Sequence, residues 1–263
     1  MLYNLIFNLL IVHILCDFYF QTSSLCVNKI KHAIKGFALW SHVGIVGVLS
    51  WSAVWNVYGW WLAVCIIVSH LGIDWLKSFI QIKGDIYRID QNGDLISGNK
   101  RRYDLYLFIG DQIMHILMIV LISCWWYSIN SDWEQFTWMQ TLLYNHPIRV
   151  YSVVALLLVL KPVNILMLQI LRSCKLDNDN NEEAPDYFHA GALIGYTERS
   201  LILLFVILAQ YEAIGFLIAA KSILRFSEAS SGNVKSEYVL SGTLLSLIFS
   251  LILGLCVVKL PIL

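Results

Sequence analysis

The sequence predicts an all-α fold: a polytopic transmembrane helical bundle with about eight spans, or seven if one stretch runs through unbroken. Three observations predict it. Of 263 residues, 58% are hydrophobic and 14% charged, against roughly 25% charged in soluble domains, and the mean hydropathy is +0.67. Apolar runs recur that are long enough for helices of about 20 residues, the length a bilayer crossing needs. Between them, lysine and arginine fall in alternate loops, the pattern that separates cytoplasmic from external segments.

Taken in order, the predicted spans are 2–20, 37–57, 59–80, 104–127, 149–171, 191–209, 213–227 and 238–258. The first, "MLYNLIFNLLIVHILCDFYFQ", lacks the basic n-region and small-residue cleavage site of a secretory signal and is read as a retained span. Lys29, Lys31 and Lys35 follow it. Lys83, Arg88, Lys100, Arg101 and Arg102 occupy 81–103, where "QNGD" marks a turn. Arg172 and Lys175 precede the acidic, turn-rich rest of "KLDNDNNEEAP", read as a linker, and Arg225 and Lys235 lie near 222–237. The alternate loops, 58–59, 128–148 and 210–212, hold neither lysine nor arginine. Eight spans then put the basic loops in the cytoplasm, in a bacterial inner membrane, with both termini outside. The chain reads as a four-span half, 1–127, and a C-terminal helical half, 128–263, of one membrane domain. The seventh span is the shortest; one long tilted helix over 191–226 would give seven. Trp51, Trp55, Tyr58, Trp60 and Trp61, with Trp125, Trp126 and Tyr127, sit at span ends as an interfacial belt.

Composition also excludes. Net charge is zero, so no field directs the chain to nucleic acid. Cys16, Cys26, Cys65, Cys124, Cys174 and Cys256 are scattered with no C-x-x-C, and read as buried thiols, not a disulfide framework or thiolate zinc site. No G-x-G-x-x-G, P-loop, G-x-S-x-G or H-E-x-x-H occurs.

Four spans carry ionisable residues inside apolar surroundings. Span one has His13 and Asp17, span two His42, span three His70 and Asp74, and span four Asp111 and His115. Residues four apart share a helix face, so each pair points the same way. Counted from the basic-loop end, all seven fall roughly 6–18 Å below that boundary at about 1.5 Å per residue. The reversed order in span four follows from its opposite direction. An aspartate at the bilayer centre costs about 2.5–3.5 kcal/mol even on lenient scales. Such groups therefore partner one another or a metal, and imidazole with carboxylate suits zinc, manganese or iron. His13, Asp17, His70, Asp74, Asp111 and His115 are the candidate ligands, for two ions or for one with supporting carboxylates. His42, a further ligand or general base, and Lys77 are the catalytic candidates; Lys77 is expected to snorkel toward the interface. His32, His146 and His189 are read as surface residues.

In the second half, Gly191 with Gly195 and Gly215 with Ala219 form small-residue faces for close helix packing. Glu198 is expected to pair with Lys221 or Arg225, leaving Arg199 for an anionic group. Arg199, Lys221 and Arg225 are thus the candidate substrate-binding residues.

The stretches "HILCDFYFQT", His42, "HLGIDWLK" and "DQIMH" resemble the bacterial integral-membrane family known as domain of unknown function 3307, over roughly residues 5–125. "GALIGYTER" and "AIGFLIAAKSILRF" resemble the C-terminal extension of its longer members. The resemblance implies a multi-pass membrane protein and no particular activity. The residues themselves support three readings. One is a divalent-metal-dependent hydrolase of a lipid or lipid-linked phosphoester, with membrane lipids and an anionic substrate as partners. The others are an ion-coupled transporter and a membrane scaffold subunit without catalysis.

Overall fold

A chain in an apolar medium must satisfy every backbone N–H and C=O internally, which helices do and irregular segments do not. The computed structural model describes residues 2–32, 36–54, 59–91, 94–98, 100, 103–130, 147–174, 188–229 and 236–259. Among these, all regular structure is helical except one short hairpin. The chain divides into two compact units, Met1–Tyr144 and Asn145–Leu263.

In the first unit, α1 (Leu2–Ile14) continues through a π-helical turn, Leu15–Phe20. Then come the short α2 (Ser23–His32) and the long α3 (Phe37–Val54), α4 (Trp60–Lys83) and α5 (Asp104–Ile129). Helix α1 packs on α3, α3 on α4, α4 on α5, and α5 back on α1, which closes a four-helix ring. Helix α2 lies against α3 and α4.

The ring has a dry end and a polar end. Leu5, Leu9, Val12 and Cys16 of α1, Val46 and Val54 of α3, Leu62 and Ile66 of α4, and Ile119, Ile122 and Trp126 of α5 form one apolar core. The early residues of α1 and α4 thus meet the late residues of α3 and α5, so neighbouring helices alternate in direction. The remaining halves carry the histidines and aspartates. Between α4 and α5, β1 (Tyr87–Ile89) pairs antiparallel with β2 (Leu95–Ser97), Arg88 opposite Ile96. Gln91 and Asp94 of the "QNGD" signal fall between the two strands, but strands of three residues are too short to announce themselves by alternation. Asp104 ties the hairpin down: it accepts from Gln81 Nε2 at 3.2 Å and from the Tyr87 hydroxyl at 2.8 Å.

In the second unit, α6 (Pro147–Cys174), α7 (Phe188–Ile207) and α9 (Ser236–Lys259) pack on one another, and α8 (Tyr211–Ala229) lies on α7. The 191–226 stretch is two helices. Ala209 takes φ 55°, its N–H bonds to Val206 O at 3.1 Å, and Gln210 N–H bonds to Phe205 O at 2.8 Å. This is a Schellman stop. Alanine in the left-handed position, where glycine is usual, explains why the sequence left the break open.

Six helices among the described residues are long and apolar enough to cross a membrane: Leu2–Phe20, Phe37–Val54, Trp60–Lys83, Asp104–Ile129, Val150–Ser173 and Leu240–Lys259. They coincide with six predicted spans; α7 and α8 occupy the other two. One expectation is corrected: among the described cysteines only Cys16 is buried, Cys26 and Cys65 are half-buried, and Cys124 and Cys256 are exposed, while the side chain of Cys174 lies outside the described residues. An apolar run in a membrane bundle faces lipid as often as protein, so hydropathy does not report burial.

Close approach of α9 to α7 requires Gly254, where a Cβ would lie 2.7 Å from Val206 Cβ. Gly254→Ala is therefore expected to destabilise the second unit by about 1–3 kcal/mol. Gly44→Ala, with open space around it, is expected to change stability by under about 0.5 kcal/mol. Thermal-unfolding midpoints in one detergent check both.

Candidate metal centre

The polar end of the ring collects what the sequence spaced apart. The chain enters it through the π-turn, a feature frequent at functional sites, which carries Asp17. Helix α3 supplies His42, α4 supplies His70 and Asp74, and α5 supplies Asp111 and His115. All are enclosed: His42 is 1% exposed, Asp74 and His115 3%, and His70 4%.

Four atoms converge. His42 Nε2 and His70 Nε2 are 2.9 Å apart. Each is 3.4 Å from Asp17 Oδ1, and they lie 3.7 and 3.6 Å from Asp74 Oδ2. Ligands held at about 2.0–2.1 Å from a tetrahedral ion sit about 3.3–3.4 Å from one another; the imidazole–carboxylate separations are close to that edge, while the two imidazole nitrogens stand at hydrogen-bond distance and would part slightly to admit an ion. Next to it, His13, Asp17 and His115 form a second group whose ligand atoms lie within 4.8 Å of one another, as do those of His70, Asp74 and His115. Asp17 belongs to both of the first two groups and can bridge them.

Tautomers sharpen the point. A carbonyl oxygen only accepts, so His115 Nδ1–H donates to the Asp111 carbonyl at 2.9 Å, and His115 Nε2 keeps a bare lone pair. Likewise His13 Nε2–H donates to Gln112 Oε1 at 3.2 Å, which leaves the Nδ1 lone pair. Those two nitrogens, with Asp17 Oδ1, have no hydrogen-bond partner among the described residues. Buried polar atoms are nearly always partnered, and a histidine that donates its other N–H is the usual arrangement of a metal ligand. A cavity with room for about one water lies beside His13, His70 and His115.

Two lysines enter the site. Lys29 of α2, 7% exposed, donates to Asp74 Oδ2 at 2.5 Å. Lys77 donates to Asp111 Oδ2 at 2.7 Å, and Gln112 Nε2 donates to the same oxygen at 3.1 Å. Lys77 therefore does not snorkel away: a carboxylate one helix over offers more than the distant interface. Lys29 was legible only as a loop charge, because nothing in "NKIKH" separates it from Lys31, whose partner is Asp94 of the hairpin at 3.3 Å. Gln112 had a signal in its place beside Asp111. On α2, burial pushes the Cys26 thiol above its ordinary pKa, opposed by Lys29 and Lys77; a protonated thiol is a poor ligand.

The other candidates belong to the second unit. Lys221 pairs with Glu198, joining α8 to α7. Arg199, expected on an anion, is 2% exposed. Its Nε donates to Val159 O and its Nη2 to Asn164 Oδ1, both at 3.0 Å, and Nη1 reaches Met167 Sδ at 3.6 Å. Those partners flank Pro162 of α6, where a helix lacks a backbone donor, so Arg199 braces a proline-weakened turn. Gly195 makes room for it: a Cβ there would lie 3.1 Å from Arg199 Nη1. The side chains of Arg225 and His189, and all of His146, lie outside the described residues; His32 is exposed.

Removing one member of a buried ion pair strands the other. Asp74→Leu is expected to destabilise the metal-free first unit by about 3–5 kcal/mol. Adding Lys29→Met to it is expected to recover most of the loss, as a double-mutant cycle in chemical unfolding will show.

Residues 5–143, more than half of the chain, match the family described as "Protein of unknown function (DUF3307)". No curated protein and no solved structure matches the chain. The segment matched runs from the first turn of α1 through α5 and holds every residue of the His/Asp cluster, and by it the chain belongs to the DUF3307 family.

Proposed function

We propose that the first unit is a divalent-metal-dependent hydrolase of a phosphoester on a lipid or lipid-linked molecule, working at the cytoplasmic face of a bacterial inner membrane. One observation carries the reading: imidazole lone pairs and carboxylate oxygens from four helices converge with several of them unpartnered. His42, His70, Asp17 and Asp74 would hold one ion of zinc, manganese or iron; His13 and His115, with Asp17, would hold a second. Such an ion, when bound, polarises a phosphoryl oxygen and acidifies water.

The chain's own groups supply the rest. One water is consumed: its oxygen bonds to phosphorus as the ester P–O bond breaks. Its proton would pass to Asp111 Oδ1, a cluster carboxylate oxygen given to neither ion and without a hydrogen-bond partner among the described residues, and then to the leaving oxygen. Lys77, held on Asp111, places positive charge where the phosphoryl oxygens gather negative charge. The apolar half of the ring, from Leu5 to Trp126, excludes bulk water from behind the site. Basic residues in the loops at this end, Lys31, Arg88 and Lys100 among them, would draw anionic headgroups toward it.

Protein purified without chelator and reloaded with zinc, manganese or iron is expected to retain about one or two ions per chain, with affinity falling as the pH drops because imidazole ligands must be deprotonated. His70→Ala is expected to lose at least about tenfold in affinity. Mass-spectrometric metal analysis decides: under about a tenth of an ion per chain after reloading removes the reading.

A further inference from the structure

The oxygen that Lys29 holds is the oxygen an ion would need. Asp74 Oδ2 accepts from Lys29 Nζ at 2.5 Å, and the same atom faces His42 Nε2 and His70 Nε2 at 3.7 and 3.6 Å. A carboxylate oxygen so placed serves the ammonium or the ion. Charge gives the same answer. Asp17, Asp74 and Asp111 face Lys29 and Lys77, so with neutral imidazoles the cluster carries one excess negative charge. One divalent ion turns this into one excess positive charge, and a second ion adds two more. Excess charge of either sign is costly in a medium of low dielectric. A loaded cluster therefore needs an anion, and it has displaced one cation that is tethered beside it. Lys77 keeps its own carboxylate, Asp111, at 2.7 Å.

We infer that Lys29 is a tethered counter-cation that surrenders Asp74 to the metal and then binds the phosphate group of the substrate. This rests on the metal reading above. Helix α2 suits the exchange: Lys29 is its one buried residue among the described ones, so the ion pair with Asp74 is its deepest tie to the site. The class of ligand is a phosphate ester, whose oxygens an ammonium grips as a point charge.

The test reads Lys29 in the wild-type chain, in nanodiscs, by amine acylation and mass spectrometry. Zinc is expected to raise the acylation rate of Lys29 by about tenfold or more, as the buried pair opens. Inorganic phosphate, or phosphatidic acid in place of phosphatidylcholine, is expected to protect the zinc-loaded lysine. Protection by phosphate alone marks a soluble phosphate as sufficient, and protection by the lipid alone marks a headgroup; protection by neither overturns the inference. Lys29→Met and Lys29→Gln supply an independent sign. Loss of the competitor is expected to tighten zinc by about tenfold while phosphate binding weakens by a similar factor, and Lys29→Arg is expected to restore phosphate binding. A lysine that merely props α2 predicts weaker zinc instead. Bound zinc with unchanged Lys29 reactivity overturns this inference alone, and absence of bound zinc overturns the metal reading with it.

Discussion

A carboxylate enclosed by apolar helices cannot stay charged without a cation, and the first unit is arranged around that constraint. Asp74 has Lys29 and Asp111 has Lys77. Asp17 has neither; it faces the imidazoles of His13, His42 and His70 at 3.7, 3.4 and 3.4 Å. Neutral imidazoles do not balance a charge, but they are good donors to an ion that does. The unbalanced carboxylate is therefore the point from which the metal reading follows.

Packing makes the convergence possible. The dry half of the ring, where Leu9, Leu62 and Val54 are almost fully enclosed, fixes the four helices laterally. The alternation of direction then brings the late turns of α1 and α4 level with the early turns of α3 and α5. Each His/Asp pair, four residues apart, needs only to face inward for the groups to meet. The second unit handles its buried charge differently: Arg199 is spread over a carbonyl, an amide and a thioether beside Pro162, which serves packing.

Much of this was legible in the sequence. Hydropathy and loop charge gave the helices, and the recurrence of His and Asp four apart gave the inward faces, because helical periodicity is a local property. The partner of each charge was not legible. Lys29 and Lys77 look like interfacial cations until the tertiary arrangement brings Asp74 and Asp111 within reach. The π-turn at Leu15–Phe20 has no compositional mark, and the stop at Ala209 lacks the glycine that would have signalled it. Arg199 read as available for a ligand because the carbonyl it satisfies lies 40 residues away in sequence.

The proposed ion shell is built from imidazole and carboxylate groups of three helices: Asp17 at the end of α1, His42 of α3, and His70 and Asp74 of α4. X-ray absorption on the zinc-loaded chain addresses it directly. A shell of nitrogen and oxygen neighbours near about 2.0–2.1 Å is expected, with the scattering signature of at least two imidazoles, abolished by Asp17→Ala. A shell containing sulfur, or an imidazole signature that survives Asp17→Ala unchanged, would contradict it.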